Sequence, residues 1–256
     1  MCFDHDSRPP IAPIAGAAVD GRREVLRSAD GTSFLAYAAA AATPSGAQML
    51  VLPDVRGLHR YYEELALRFA EAGIDALAVD YFGRTAGTEA RSADFDHAPH
   101  VAQVRYEQLM ADIEAAAGWL REQHEVRAIF SVGFCFGGRL SFVSAARPSL
   151  ELAGAIGFYG WPVGQSRGGV PAPAELAGQM RAPVLGLFGG ADEGIPVAAI
   201  AEFESALTAA GVEHELISYP GAPHSFFDRK AEQFADTSAD AWRQVTEFVA
   251  RLTPQG

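Results

Sequence analysis

Cysteine, aspartate and histidine occur in this chain in an order, and at places, that suit nucleophilic catalysis. Cys135 is the centre of Gly133-Phe134-Cys135-Phe136-Gly137, which comes after the apolar, β-branched run Ala128-Ile129-Phe130-Ser131-Val132 and precedes a helix-like stretch. Flanking glycines let a chain turn sharply from strand to helix while the residue between them is forced into an unfavourable conformation. That is the setting of a nucleophile elbow, here with cysteine in place of serine. Taken alone, the pentapeptide fits a core cysteine at a buried strand end equally well. The catalytic reading gains from two residues further along the chain, an acid and then a base. Asp192 ends Phe188-Gly189-Gly190-Ala191-Asp192, directly after the apolar run Pro183-Val184-Leu185-Gly186-Leu187. His224 ends the turn Pro220-Gly221-Ala222-Pro223-His224, after the strand-like His214-Glu215-Leu216-Ile217-Ser218-Tyr219. Each of the three lies beyond the carboxyl end of a different strand, where an open α/β sheet builds its site. An aspartate in a glycine-rich turn often serves the turn alone. His5, His59, His97, His100, His124 and His214 read as solvated or capping residues, although His59, His97 and His100 flank stretches that border the cleft.

With Gly138, Phe158-Tyr159-Gly160, His224-Ser225-Phe226 and Pro53-Asp54-Val55-Arg56-Gly57, these motifs resemble the dienelactone hydrolase family, cysteine-dependent members of the α/β-hydrolase superfamily. The resemblance spans most of the chain. It implies a hydrolase of small esters or lactones that works through a Cys-His-Asp triad and an acyl-enzyme, with no metal and no organic cofactor. The alternative within the enzyme class is a general short-chain carboxylesterase or thioesterase that needs no carboxylate on its substrate.

Such chemistry needs a thiolate near neutral pH, where a free cysteine is mostly thiol. The amino end of a helix over 136–146 favours an anion at Cys135, and His224 takes the proton if Asp192 holds its ring in the right tautomer. The oxyanion donors expected by analogy with the elbow are the backbone N–H groups of Val55 and Phe136. Asp54 stands where the resembled family has a glutamate that takes part in activating the thiol, and it is one methylene shorter. Arg84 matches one of two arginines that hold the carboxylate of dienelactone in that family. Asp228 occupies the place of the other, with Arg229 next to it, so an anionic substrate loses half its clamp unless Arg229, Arg56 or Arg139 substitutes. Phe82, Phe134, Phe136, Tyr159, Trp161, Phe226 and Phe227 are candidates for an aromatic-lined cleft. Core packing is the competing role, favoured for Phe134 and Phe226, whereas Tyr81 and Trp161 at strand ends are expected to face substrate. The candidate substrate-binding residues are Arg84, Tyr81, Tyr159, Trp161 and, despite its competing core role, Phe226.

The composition agrees with a single α/β domain over 1–256, with an extended arm over 1–20. The chain has 256 residues, 49% of them hydrophobic, enough for a substantial core. No apolar run approaches the length of a membrane span, and the acidic start Met1-Cys2-Phe3-Asp4-His5-Asp6 is unlike a secretory signal. A cytoplasmic monomer or homodimer is expected. A net charge of −12 speaks against nucleic acid or an anionic membrane as partner. With two cysteines, Cys2 and Cys135, and no Cys-x-x-Cys motif, neither a structural disulfide nor a redox role is supported. A non-catalytic binding module on the same scaffold is disfavoured by the intact Cys135, Asp192 and His224 set.

Alternating apolar runs and helical patterns predict stacked βαβ units in a mostly parallel, doubly wound sheet with helices on both faces. Segments 23–27 and 33–40 read as an antiparallel edge pair around Asp30-Gly31. Strands are expected over 48–52, 75–79, 128–132, 154–158, 184–188 and 213–218, and helices over 61–72, 101–123, 136–146, 197–210 and 237–252. Two long loops, 84–99 and 161–173, leave the catalytic face and shape the pocket.

Overall fold

The computed structural model describes residues 7–14, 19–123 and 128–254; Cys2, His5 and His124, and part of the expected arm, lie outside the described residues. Among the described residues eight strands form one sheet: β1 (Val19–Arg27), β2 (Ser33–Ala41), β3 (Ala47–Leu52), β4 (Asp75–Val79), β5 (Ala128–Phe134), β6 (Gly154–Phe158), β7 (Val184–Gly189) and β8 (His214–Tyr219). Their order across the sheet is β1-β2-β4-β3-β5-β6-β7-β8. β1 pairs antiparallel with β2 and β2 with β4, and every other neighbouring pair is parallel. The helices are α1 (Arg60–Glu71), α2 (Gly83–Ala86), α3 (Ala98–Val101), α4 (Tyr106–Gln123), α5 (Phe136–Ser144), α6 (Pro173–Leu176), α7 (Val197–Ala210) and α8 (Ala235–Leu252).

The central strands are apolar on both faces, as a sheet covered on both sides requires. Along β3, Met49 and Val51 enter the core shared with Tyr62, Phe69 and Phe248 of α1 and α8, while Leu50 and Leu52 enter the core shared with Leu109, Ile113 and Leu120 of α4. Alternation with a period of two thus sends neighbouring residues to opposite layers.

One expected helix is divided. In place of a continuous helix over 101–123, α3 ends at Val101 and α4 begins at Tyr106. The Arg105 guanidinium donates to the carbonyls of Gln103 and Val104, which an unbroken helix would use for its own ladder. A side chain so placed satisfies the freed acceptors and makes the break tolerable.

The junction between β5 and α5 is the most constrained point of the backbone. Cys135 is held at φ +55° and ψ −112°, outside the regions that L-residues favour. The turn closes because the chain on either side lacks side chains. A Cβ on Gly133 would overlap the carbonyl of Gly137, and a Cβ on Gly137 would overlap the backbone carbonyls of Leu52 and Pro53 at the end of β3. Gly137→Ala therefore has only backbone to displace. Its expected cost is about 3 kcal/mol or more, read from the urea unfolding midpoint, because the neighbouring carbonyls cannot rotate aside as a flexible side chain could.

Candidate active site

The parallel order brings the ends of β3, β5, β6, β7 and β8 to one rim, and Cys135, Asp192 and His224 come after β5, β7 and β8 there. The Cys135 backbone N–H donates to the Phe158 carbonyl (3.0 Å), which ties the elbow to β6. Asp192 is buried. One of its carboxylate oxygens, Oδ1, accepts the backbone N–H of Gly194 (2.9 Å) and the other faces Nδ1 of His224 at 2.6 Å. Nδ1 must be the donor toward that carboxylate, which leaves Nε2 for chemistry. The His224 ring also shares a hydrogen bond with the Cys135 thiol. Burial alone would lower the pKa of this imidazole, but hydrogen bonds and charge attraction from Asp192 and Cys135 outweigh burial and push it up to about 10.

Beside these three residues the ring of Tyr159 lies 4.7 Å, centroid to centroid, from that of His224. The Tyr159 hydroxyl donates to Oδ2 of Asp228, and the Arg229 backbone N–H donates to its Oδ1. Burial pushes the Asp228 carboxyl up to about 7, against these two hydrogen bonds. The turn that carries His224 is anchored further by the Tyr61 hydroxyl on the Phe227 carbonyl (2.9 Å) and the Ser238 hydroxyl on the Phe226 carbonyl (2.9 Å).

Cys135 and His224 open into a cavity of about 540 Å³. Val55 and Phe136, whose N–H groups are the expected oxyanion donors, line it beside the thiol, with Tyr159, Trp161, Gln165, Ser166, Arg139 and Arg167 around them. Phe136 is the first residue of α5, so its N–H has no acceptor within the helix. Asp54 is fully buried behind this wall, with Oδ1 accepting the Arg56 backbone N–H at 2.8 Å.

Three expected substrate contacts are corrected by the geometry. Arg84 belongs to another neighbourhood: its guanidinium is paired with Asp112 and, at 2.8 Å, with Asp30, and it borders a small separate cavity beside α4. The buried carboxylate of Asp112, on α4, offers it a better partner than the open cleft does. Tyr81 is buried behind the site; its hydroxyl donates to the Pro53 carbonyl (2.8 Å) and its ring meets Phe136 edge-on at 5.8 Å, so it supports the cavity wall from outside. Phe226 is fully buried, edge-on to Tyr159 at 5.6 Å and tilted against Tyr219 at 5.2 Å, and is core. Phe134 is core as well, stacked on Phe158 at 4.7 Å. Tyr159 and the half-exposed Trp161 do line the cavity.

Of the three arginines expected to replace the missing clamp residue, Arg139 lines the cavity, whereas Arg229 borders a different one and Arg56 is buried away from the lining. Arg167, Gln165 and Ser166 are not marked by the sequence. The loop that holds them was expected to shape the pocket, but nothing in its composition tells which side chains turn inward. His59, His97 and His100 are absent from the lining. His59 is buried beside Arg56, and its pKa is lowered to about 4 by burial first and by the guanidinium second. His100 stacks on Phe95 at 5.0 Å. Among the described residues no group of three or more His, Cys, Asp or Glu side chains could hold a metal, and no helix is long and apolar enough to cross a membrane.

Fold and site together define an α/β-hydrolase enzyme. The dienelactone hydrolase family model matches residues 34–253, and the chain belongs to that family. It is 32% identical over 212 residues to a candidate carboxymethylenebutenolidase of Methylorubrum extorquens, covering 78% of this chain and 70% of the relative. It is 31% identical over 255 residues to a similarly named protein of Salmonella typhimurium, covering 94% and 93%. The crystal structure of a candidate dienelactone hydrolase from Klebsiella pneumoniae superposes with a TM-score of 0.79 at 28% identity, covering 91% of this chain and 99% of that one.

Several measurable outcomes are expected from this geometry. The imidazole, pushed up to about 10, is a cationic neighbour of the Cys135 sulfur, and such a neighbour favours the thiolate over the thiol. Alkylation of Cys135 by iodoacetamide should therefore be nearly flat from about pH 6 to 9, where an ordinary thiol gains reactivity toward its pKa of about 8.5. The same raised pKa has a stability counterpart: the favourable contribution of His224 is complete below its unfolded value of 6.5 and is lost as pH rises toward 10. Arg84→Met strands the Asp112 carboxylate in an apolar interior and should cost about 3 kcal/mol in denaturant unfolding. It should leave KM for neutral esters within about twofold.

Proposed function

We propose that this protein hydrolyses small carboxylic esters and opens lactones by covalent catalysis at Cys135. The observation that carries the reading is the continuous hydrogen-bonded set Asp192, His224 and Cys135, opening into a cavity of ligand size. The names of its relatives, candidate carboxymethylenebutenolidases, point to the same reaction class.

In this scheme the thiolate of Cys135 attacks the substrate carbonyl carbon. The negative charge that develops on oxygen is received by the N–H groups of Val55 and Phe136, and one such donor is typically worth about a hundredfold or more in rate. The C–O bond breaks as Nε2–H of His224 protonates the departing alkoxide. For an ester the alcohol leaves; for a lactone it stays attached to the acyl group as a hydroxyl. The now neutral His224 takes a proton from water, the hydroxide attacks the thioester, and sulfur departs as thiolate beside a reprotonated ring. Asp192 stays ionised and keeps the ring oriented. We assign Asp54 to activation of the thiol, supported by its full burial next to Val55, which lines the cavity together with Cys135. The medium of this reaction is assigned to the cytoplasm.

A second reading, a short-chain esterase or thioesterase indifferent to a substrate carboxylate, is favoured by one observation: Arg84 is already committed to Asp112 and Asp30. A substrate screen separates the two. Preference for neutral short-chain esters over the dienelactone anion supports the esterase; strong preference for the anion supports the lactonase.

Cys135→Ala and His224→Ala should each lower kcat/KM for a chromogenic ester by at least about a thousandfold while the thermal transition stays near that of the parent. Substantial turnover in either variant would overturn the triad. The parent enzyme should show a burst of released phenol that matches the concentration of active thiol.

A further inference from the structure

Arg139 lies one turn along α5 from the nucleophile and is only 1% exposed, yet no carboxylate among the described residues pairs with it. Its guanidinium donates to backbone carbonyls alone. Nε donates to Pro171 (3.1 Å), one terminal nitrogen to Trp161 (3.2 Å) and Val163 (3.1 Å), and the other to Gly164 (2.6 Å) and Val170 (3.0 Å). The five N–H groups of the fork thus meet five carbonyls, all from one segment. That segment, 161–171, is the wall of the catalytic cavity that presents Trp161, Gln165, Ser166 and Arg167. It has little means of holding itself: apart from a single 3-10 turn at Arg167–Gly169 it is irregular, and Gly164, Gly168 and Gly169 all adopt positive φ. Carbonyls turned inward from such a segment need donors, and ordering it without them would cost conformational entropy at each residue.

We propose that Arg139 is a positioning residue for substrate selection: from the helix that carries Cys135, its guanidinium fixes the 161–171 wall at a set distance from the thiol and so determines which acyl groups fit. The proposal rests on the hydrolytic reading of Cys135. It places the selecting wall and the nucleophile on one rigid element, so that the two cannot drift apart. Burial lowers the Arg139 pKa to about 10, with Glu175 the nearby carboxylate that partly opposes the shift, and the group remains charged through the neutral range. Lysine cannot replace it fully, because an ammonium has three donors, not five, and no planar fork.

The test compares the parent with Arg139→Lys and Arg139→Met in three measurements. The first is the ratio of kcat/KM for p-nitrophenyl phenylacetate to that for p-nitrophenyl acetate. The large acyl group reaches the wall and the small one does not, so the ratio should fall at least about tenfold in Arg139→Met, with Arg139→Lys between. The second is the rate of tryptic cleavage after Arg167, relative to cleavage after Arg243 on α8, which should rise at least about tenfold as the segment loosens. The third is iodoacetamide alkylation of Cys135, which should stay within about twofold of the parent, since the thiol and its imidazole are untouched. An unchanged ester ratio in a folded variant overturns the proposal, as does unchanged cleavage after Arg167. Should Arg139→Met fail to fold by thermal melting, Arg139→Lys decides by the same two readouts. If the parent cleaves neither ester, the hydrolytic reading falls, while the tryptic measurement still reports whether Arg139 holds the wall.

Discussion

The strained backbone of Cys135 is the constraint around which the rest of the site is arranged. A residue at φ +55° and ψ −112° does not stay there by its own preference. It is held because glycines let three strand ends approach backbone to backbone: Gly137 against the carbonyls of Leu52 and Pro53, and Gly138 against Phe158 and Gly160. The same contacts bring the Val55 loop after β3 and the Tyr159 segment after β6 to the sulfur. One close-packing requirement therefore aligns Cys135, the expected oxyanion donors and the aromatic neighbour of His224.

Electrostatics divide the molecule differently from its overall charge. The chain carries −12, yet among the described residues the charged side chains lining the Cys135 cavity are Arg139, Arg167 and His224, with no carboxylate beside them. The acids of the site sit one layer back, Asp192 on the imidazole and Asp228 on the Tyr159 hydroxyl, both buried. The two supporting acids also differ in kind. Asp192 faces a ring that it helps keep protonated, whereas Asp228 is pushed toward neutrality by burial and serves as an acceptor for Tyr159.

How far the primary structure reaches depends on the range of the interaction. The elbow was legible because its cause is local: a strand, a glycine, a cysteine between two aromatic residues, a glycine and a helix are contiguous. Asp192 and His224 were legible because a parallel sheet delivers the carboxyl ends of its strands to one rim, whatever their separation in sequence. The β1–β2 edge pair was signalled by the Asp30-Gly31 turn, with Gly31 at φ +85°. Arg84, Tyr81 and Phe226 were placed at the cleft by their adjacency to motif residues, and each turned elsewhere. What turned them were long-range partners, Asp112 and Asp30, the Pro53 carbonyl, and the rings of Tyr159 and Tyr219.

The amino-acid sequence by itself determined the fold class and the rim on which Cys135, Asp192 and His224 stand, since periodicity and glycine spacing act over a few residues and carry their own geometry. The tertiary structure decided which arginine meets the cavity, which aromatics are core, where the 101–123 helix breaks and how the 161–171 segment is held. Those outcomes rest on which donor finds which acceptor across the folded chain. A guanidinium with five donors can satisfy them in many surroundings, so only the assembled packing selects one.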